Sequence, residues 1–375
     1  MTYIWEHKDW PDFKWQSDEL LPFLSQARFL QGELISKICS LGLGRNNEPV
    51  AEILVEESIK TAAIEGIRLD KDSVRSFVAK RLGLHTAGLK PPDRGTEGLI
   101  SVLLDATKGY KKPLTAKRLK SWQAALFPTG YSGLSKIKVG KWRGKTTMQV
   151  VSGPIGRERV HFEAPPYKRI DSEIKKFINW WQKPPDKLDG IIRAGIAHFC
   201  FVTIHPFEDG NGRIARALTD MALSQDEGLP KRYYSLSTSI MTNRKAYYDI
   251  LEECQRGKLD ITKWLSWFLK CYQRAIGESE KAILKSLQKA LFWQKHAQTI
   301  LNENQRKVIN RLLDAGQGGF IGGLSTRKYV AITKTSRATA YRDISGLLKK
   351  EILTRSKPKG RSVSYELNFV VIPLK

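Results

Sequence analysis

The spacing of apolar residues predicts a chain built mainly from α-helices. Apolar side chains recur at helical intervals over residues 18–41 and again over residues 49–65, where Gly66 is placed to end the second helix. Residues 85–97 are rich in turn-forming residues, which is typical of a boundary between domains. Residues 98–272 are again mostly helical in pattern.

One segment interrupts this helical pattern. Residues 147–151 and 159–163 read as two short strands, and they flank the turn sequence Ser-Gly-Pro-Ile-Gly. A β-hairpin is therefore predicted over residues 148–163. Helices resume over residues 170–183 and 189–204.

The last part of the chain has a different character. Residues 301–375 contain 15 Lys+Arg against 5 Asp+Glu, and their pattern predicts three helices followed by two strands joined by a basic turn. That order is typical of a winged helix-turn-helix. The chain thus divides into a helical N-terminal module (1–90), a larger helical domain (91–275) and a winged helix-turn-helix domain (276–375).

Composition narrows the classes of partner. Lys+Arg number 63 against 38 Asp+Glu, a formal charge of +25, which favours anionic partners such as nucleic acid, nucleotide phosphates or an acidic protein surface. The 4 cysteines show no CxxC spacing, so neither a zinc site nor a disulfide framework is expected. Because the chain has no apolar signal core and no run long enough to span a bilayer, we expect a cytoplasmic protein that does not contact membranes.

The strongest chemical signal is the sequence Ile-His-Pro-Phe-Glu-Asp-Gly-Asn-Gly-Arg-Ile-Ala-Arg-Ala-Leu over residues 204–218. A helix should deliver His205 at its end, because Pro206 prevents that helix from continuing. The next helix is expected to begin near Asn211, so its free N–H groups would point into the space beside the imidazole. Gly210 and Gly212 would let a phosphate approach that backbone closely.

The remaining side chains of this segment complete the parts needed for phosphoryl or nucleotidyl transfer. Imidazole at His205 can accept a proton near neutral pH. Asp209 offers hard oxygen ligands suited to Mg²⁺. Arg213 and Arg216 are three residues apart on one helix face, where both would hold phosphate charge.

These residues resemble the Fic-family signature His-x-Phe-x-Asp/Glu-Gly-Asn-Gly-Arg-x-x-Arg at every defining position. The resemblance implies a helical protein that transfers AMP from ATP to a hydroxyl side chain (Ser, Thr or Tyr) of a target protein or of itself, releasing pyrophosphate. By position, it implies that His205 is the base, that Phe207 anchors the loop and that Asp209 binds Mg²⁺. It also implies that Gly210, Asn211 and Gly212 hold the α- and β-phosphates and that Arg213 and Arg216 hold the β- and γ-phosphates.

The same resemblance implies partners. The hairpin at residues 148–163 resembles the family's flap, which holds a segment of the target by strand addition. A homodimer is also consistent with the family. The opening residues 3–15 resemble an uncharacterised N-terminal module that often precedes Fic domains, and we expect its tryptophans Trp5, Trp10 and Trp15 to pack beneath the first helix.

A second motif resembles a switch on the first. Residues 61–66, Thr-Ala-Ala-Ile-Glu-Gly, resemble the inhibitory Ser/Thr-x-x-x-Glu-Gly/Asn helix of some Fic proteins, with Thr61, Glu65 and Gly66 at the defining positions. The resemblance implies that Glu65 pairs with Arg216 in the place of the γ-phosphate. In some relatives such a glutamate also positions a water that removes AMP, so a de-AMPylase or a bifunctional enzyme is an alternative.

The C-terminal segment resembles bacterial winged-helix domains. By that resemblance the recognition helix carries Ser336, Arg337, Thr339, Tyr341 and Arg342, and the wing tip carries Lys357, Lys359 and Arg361. These residues are the candidate contacts to DNA phosphates and bases. Docking to a protein is the alternative use of such a domain.

The leading hypothesis is an ATP- and Mg²⁺-dependent protein adenylyltransferase restrained by Glu65. A DNA-binding regulator whose Fic domain senses nucleotide is the alternative of another class, and the intact His205 favours the enzyme. Transfer of UMP, phosphate or phosphocholine is a further alternative. The presence of both Arg213 and Arg216 favours AMP over these groups.

Overall fold

The computed structural model describes residues 2–40, 47–84, 94–153, 157, 159–316, 318–356 and 363–369. The chain divides into two compact units, Met1–Glu280 and Lys281–Lys375. Among the helices of these described ranges, none combines the length and apolar character needed to cross a membrane.

The helices account for most of the described chain, so the mainly helical prediction is confirmed. They run in this order: α1 Ser17–Ser40, α2 Glu48–Ile64, α3 Lys71–Leu82, α4 Arg94–Lys108, α5 Ala116–Leu126, α6 Ile170–Gln182, α7 Gly190–Ile204, α8 Asn211–Glu227, α9 Leu236–Thr242, α10 Arg244–Gln255, α11 Thr262–Lys295, α12 Glu303–Ala315, α13 Thr326–Thr333 and α14 Arg337–Lys349. Short 3₁₀ helices lie at Ile4–Glu6 and Tyr167–Arg169.

The described strands form three two-stranded antiparallel sheets. They are β1 Tyr131–Ser132 with β2 Ser135–Lys136, β3 Gln149–Ser152 with β4 Arg159–Glu163, and β5 Leu353–Arg355 with β6 Tyr365–Leu367. In the second sheet Gln149 opposes Glu163 and Ser152 opposes Arg159, with a register shift between Val150 and Val151. This sheet lies where the sequence predicts a hairpin, whereas β1–β2 was not predicted.

The helix pair α7 and α8 forms the centre of the first unit. All residues of α7 except Gly190 and Arg193 are buried, which is expected for a helix that is apolar on every side. On α8 the buried residues run without a break from Arg213 to Ser224. The turn that joins these two helices is therefore held between buried elements.

Two of the N-terminal tryptophans lie in the core. Trp5 and Trp10 are buried, and their indole N–H groups donate to the carbonyl of Glu163 at 2.7 Å and to the carboxylate of Glu173 at 2.8 Å. Both therefore pack in the core as predicted, with polar partners on β4 and α6, and their position beneath the first helix stays a prediction. Long-range burial partners of this kind leave no local pattern in the sequence.

Two boundaries can be compared with their predictions. Helix α2 ends at Ile64, and Gly66 adopts φ +78°, the left-handed conformation that glycine accepts most easily. Residues 94–97, taken as part of a turn-rich boundary, lie inside α4. The rest of that boundary, residues 85–93, lies outside the described residues.

The second unit has its own apolar core. Buried residues of α12, α13 and α14 meet those of β5 and β6 in one cluster that includes Val308, Tyr329, Ile344, Leu353 and Tyr365. Three helices and an antiparallel strand pair match the predicted element order, and the winged-helix assignment itself stays a prediction. The wing-tip residues Lys357, Lys359 and Arg361 lie outside the described residues.

Candidate active site

The turn between α7 and α8 carries the imidazole expected to act as base. His205 caps the end of α7 with φ 50° and ψ 59°, and its N–H donates to the carbonyl of Phe201 at 3.0 Å. A left-handed conformation is uncommon for a residue other than glycine. This backbone geometry turns the chain sharply away from α7.

Hydrogen bonding determines which nitrogen of His205 is free to accept a proton. Nδ1 lies 3.1 Å from the carbonyl oxygen of Val202, which can only accept, so Nδ1 carries the hydrogen and Nε2 presents a lone pair. Burial lowers the pKa of His205, and the positive charge of Arg143 acts in the same direction. The imidazole is therefore neutral near pH 7, which is the form a general base requires.

Asn211 shapes the loop with its side chain. Its Oδ1 accepts from the N–H of Phe207 at 3.0 Å, and its Nδ2 donates to the carbonyl of Phe207 at 2.9 Å. Asn211 and Phe207 are both buried. The amide of Asn211, expected to hold phosphate, thus bonds the backbone of Phe207 through Oδ1 and one hydrogen of Nδ2, and its contact with phosphate stays a prediction.

The first turn of α8 provides the anion cradle. Gly210 caps this helix at φ 92°, and the cap has no side-chain hydrogen bond, so the first N–H groups remain available. A Cβ added at Gly212 would lie 2.1 Å from Oε1 of Glu65 and 3.2 Å from Nη1 of Arg216. The space directly above Gly212 therefore lies between a carboxylate and a guanidinium.

The two arginines of α8 lie below this cradle and are both buried. Arg213 stacks over the ring of Phe127, with its Cζ 4.7 Å from the centroid, and lies 3.7 Å from Oδ1 of Asp209. Within the described residues, Nη1 of Arg216 has no hydrogen-bond partner. A buried donor without a partner is rare in proteins, and at this position it is suited to an anion.

Helix α2 brings a carboxylate to this guanidinium. Arg216 donates from Nε to Oγ1 of Thr61 at 2.6 Å and from Nη2 to Oε1 of Glu65 at 2.7 Å. The end of α2 is held from α10, because the carbonyl of Ile64 accepts from Nε of Arg244 at 2.7 Å and from the hydroxyl of Tyr248 at 3.2 Å. Glu65 thus covers Gly212 while it pairs with Arg216.

Asp209 is the residue that the sequence predicts as the Mg²⁺ ligand. Its Oδ1 accepts from the N–H of Gly210 at 2.5 Å, and its Oδ2 accepts from the hydroxyl of Ser132. The described part of the chain contains no cluster of three or more His, Cys, Asp or Glu that would hold a metal ion. The side chain of Asp209 is 40% exposed, so its carboxylate can offer an oxygen ligand to a metal ion.

Several residues that were not predicted from the sequence contact the loop. Arg143 donates to the carbonyl of His205 at 2.8 Å, and the N–H of Lys138 donates to Oε2 of Glu208 at 2.8 Å. These residues, with Ser132, come from the segment that contains β1–β2. Their distance along the chain from the motif left no signal by which the sequence could identify them.

Comparison with known proteins identifies the family that the segment containing this turn resembles. Residues 113–223, which contain β1–β4 and the whole turn, match the model of the Fic/DOC family. The chain contains a Fic domain. Residues 3–84 match a domain of unknown function, DUF4172, and they include α2.

Relatives of the Fic domain are named for AMP transfer. A protein adenylyltransferase Fic from Nematostella vectensis is 32% identical over 108 residues, which is 28% of this chain and 23% of that protein. A probable protein adenylyltransferase from Aquifex aeolicus (strain VF5) is 30% identical over 105 residues, 28% of this chain and 30% of that protein. The matched segment therefore spans less than a third of the length of either relative.

A solved structure shows the same fold over most of the chain. A Fic family protein from Desulfovibrio desulfuricans G20 superimposes with a TM-score of 0.53 at 19% identity, covering 93% of this chain and 96% of that one. This likeness extends the agreement in fold well beyond the Fic domain.

The other candidate residues lie in the second unit. Arg337, Tyr341 and Arg342 are exposed on α14, while the only acid of that helix, Asp343, is buried and accepts from the hydroxyl of Tyr329 at 2.9 Å. Thr339 is half-buried and donates its N–H to the cap residue Ser336 at 3.1 Å. The exposed face of α14 is therefore free of negative side chains.

Proposed function

We propose that this protein is an adenylyltransferase that transfers AMP from ATP to a hydroxyl side chain of a protein and that Glu65 restrains it. The observation that carries the proposal is the position of the Glu65 carboxylate, which lies above Gly212 at the start of α8 and on Arg216. A helix N-terminus and a buried arginine are a site for phosphate oxygens. Glu65 acts there as an internal substitute for phosphate.

The residues of the turn support in-line nucleotidyl transfer. The oxygen of the target hydroxyl attacks the α-phosphorus of ATP while Nε2 of His205 accepts the hydroxyl proton. The bond from that phosphorus to the bridging oxygen breaks, and pyrophosphate leaves. The start of α8 and the arginines Arg213 and Arg216 hold the phosphates in line. A magnesium ion beside Asp209 would, when bound, neutralise charge on the departing pyrophosphate.

The hairpin β3–β4 is the proposed dock for the target. Arg256, the residue directly after α10, donates to the carbonyls of His161 at 2.8 Å and Val160 at 2.5 Å on β4. Because α10 covers β4, an added strand pairs with β3, where Val151 is 48% exposed. Main-chain hydrogen bonds of this kind hold a peptide largely independently of its sequence.

The test is labelling with α-³²P-ATP in magnesium buffer and a cell lysate. Glu65→Gly should label protein about 5- to 150-fold faster than wild type, a typical range for release of an inhibitory coupling. Adding His205→Ala to that variant should lower labelling by about 10²- to 10⁴-fold with ATP affinity retained, because the base acts in the chemical step. If no variant labels protein although each binds ATP, AMP transfer is refuted.

The same variants distinguish addition from removal of AMP. If Glu65 positions a hydrolytic water, wild-type protein will release AMP from target labelled by Glu65→Gly, and Glu65→Gly itself will not. Absence of release by wild type leaves Glu65 as an inhibitor alone.

DNA binding by the second unit is the second candidate, favoured by the acid-free exposed face of α14. Exposed Arg337 and Arg342 lie beside Tyr341 on that face, a composition suited to a DNA groove. The full chain should bind a fluorescent mixed-sequence duplex at low salt and release it as salt rises. No change in anisotropy at low salt would favour protein docking instead.

A further inference from the structure

One arginine outside the sequence motif holds the backbone of the turn between α7 and α8. The Nε of Arg143 donates to the carbonyl of His205 at 2.8 Å, and the N–H of Arg143 donates to the carbonyl of Pro206 at 2.9 Å. Its Nη2 donates to the carbonyl of Pro165. A single residue therefore bonds two consecutive carbonyls of the turn and links them to the chain that follows β4.

These bonds hold the part of the turn in which His205 adopts the left-handed backbone conformation. A residue other than glycine in a sparsely populated conformation costs free energy and persists only where its surroundings hold it in place. The carbonyl of Phe201 accepts from the N–H of His205. The side-chain amide of Asn211 accepts from the N–H of Phe207 and donates to its carbonyl. Arg143 supplies the bonds between those two anchors, on the carbonyls of His205 and Pro206.

The guanidinium of Arg143 donates to two backbone carbonyls, those of His205 and Pro165. Arg143 is 4% exposed, so these hydrogen bonds are largely shielded from water. Burial lowers the pKa of Arg143 to about 10, so the group stays charged at neutral pH. Hydrogen bonds from a charged donor are shorter and stronger than neutral ones, which makes them effective at fixing a backbone.

Two further bonds connect the same segment to the loop. The N–H of Lys138 donates to the carboxylate of Glu208, and the hydroxyl of Ser132 donates to Asp209. Residues 132–143 thus hydrogen-bond to four residues of the turn, and Arg143 is the member of this segment that reaches His205.

We propose that Arg143 is a positioning residue for His205, which fixes the backbone of the turn so that the imidazole keeps one orientation. The inference rests on the proposed function. A residue that acts only through the imidazole affects the chemical step. It should leave ATP affinity nearly unchanged, because the phosphate cradle belongs to α8.

The experiment compares Arg143→Gln and Arg143→Lys in the Glu65→Gly protein, with Lys141→Gln as the matched control that removes a charge from an exposed neighbour. Arg143→Gln should lower kcat about 100-fold, the typical cost of misplacing a reacting group by about 1 Å. The Kd for ATP, measured by calorimetry, should stay within about twofold. Arg143→Lys, which keeps the charge and one donor, should recover part of the loss and decides the matter where the glutamine variant does not fold.

Unchanged kcat in both variants would overturn the proposal, and so would a parallel loss of ATP affinity and kcat. The positioning role can be tested even if the protein does not transfer AMP, because ¹⁵N NMR spectra of the imidazole do not depend on activity. Wild type should show His205 with hydrogen on Nδ1, and Arg143→Gln should show a mixture of tautomers. A variant spectrum identical to wild type would contradict the positioning role.

Discussion

Two pairs of arginines expected to bind phosphate differ in their exposure to solvent, one pair being buried and the other exposed. In the Fic domain, Arg213 and Arg216 are 6% and 2% exposed, and Arg216 is already bonded to Thr61 and Glu65. In the second unit, Arg337 and Arg342 are exposed on α14. The residue type and the expected ligand, a phosphate, are the same in both regions.

The difference in burial decides what each pair can do. A buried guanidinium has lost its water, so an anion must fit the space beside Arg216, where the Glu65 carboxylate lies in this structure, and this requirement favours selectivity. An exposed guanidinium attracts phosphate over a longer distance and is screened by salt, which favours non-selective binding. Composition alone, a formal charge of +25, does not separate these two roles.

Filling the space above Gly212 should have the largest effect in this comparison. A Cβ at this position would lie 2.1 Å from the Glu65 carboxylate. If phosphate takes the same place, Gly212→Ala in the Glu65→Gly protein should lose about 100-fold in AMP transfer, because the reacting groups are displaced by about 1 Å or more. Gly277→Ala is the control, since its Cβ would meet nothing within 4 Å. Full activity of the Gly212 variant would show that phosphate binds elsewhere.

Removing the exposed pair should have a smaller and salt-dependent effect. Arg337→Ala with Arg342→Ala should reduce the slope of log affinity for duplex DNA against log salt by about 2, since each phosphate contact contributes about 0.9. AMP transfer should be unchanged. Lys307→Ala with Arg311→Ala on α12 removes the same charge from another exposed surface. Equal losses in both double variants would mean that net charge, and not α14, binds the DNA.

Burial in the Fic domain should also appear in the pH dependence. Because burial lowers the pKa of His205, the imidazole stays neutral to lower pH than usual, and AMP transfer should fall only when the pH drops below the lowered value. In Glu65→Gly the midpoint of the acid limb of kcat should therefore lie below the ordinary value of about 6.5. The nearby charges act on it in both directions: Arg143 lowers the pKa, while Asp209 and, in wild type, Glu65 raise it. A midpoint above 6.5 would be inconsistent with a buried neutral base.

Local sequence was sufficient for the two helices that carry the turn. Helical spacing, Pro206 and the glycines at residues 210 and 212 predicted where α7 ends and α8 begins, and the structure has those ends at Ile204 and Asn211. The β3–β4 hairpin was also predicted, because its turn residues and short strands are local signals. The β1–β2 pair was not, because strands of two residues are too short to show a pattern.

The sequence by itself determined which chemical groups stand in the turn and that a Thr-x-x-x-Glu-Gly helix precedes it. Only the tertiary structure decided which groups meet. Glu65 and Arg216 are 151 residues apart in sequence, Ser132 and Asp209 are 77 apart, and Arg143 and His205 are 62 apart. The packing of α2 and of residues 132–143 against the ends of α7 and α8 brings these groups within hydrogen-bond distance. The Glu65–Arg216 pair was expected from the resemblance of residues 61–66 to an inhibitory helix, and the structure places the two side chains 2.7 Å apart. Periodicity reports only contacts within one element, so the contacts of Ser132 and Arg143 follow from the fold alone.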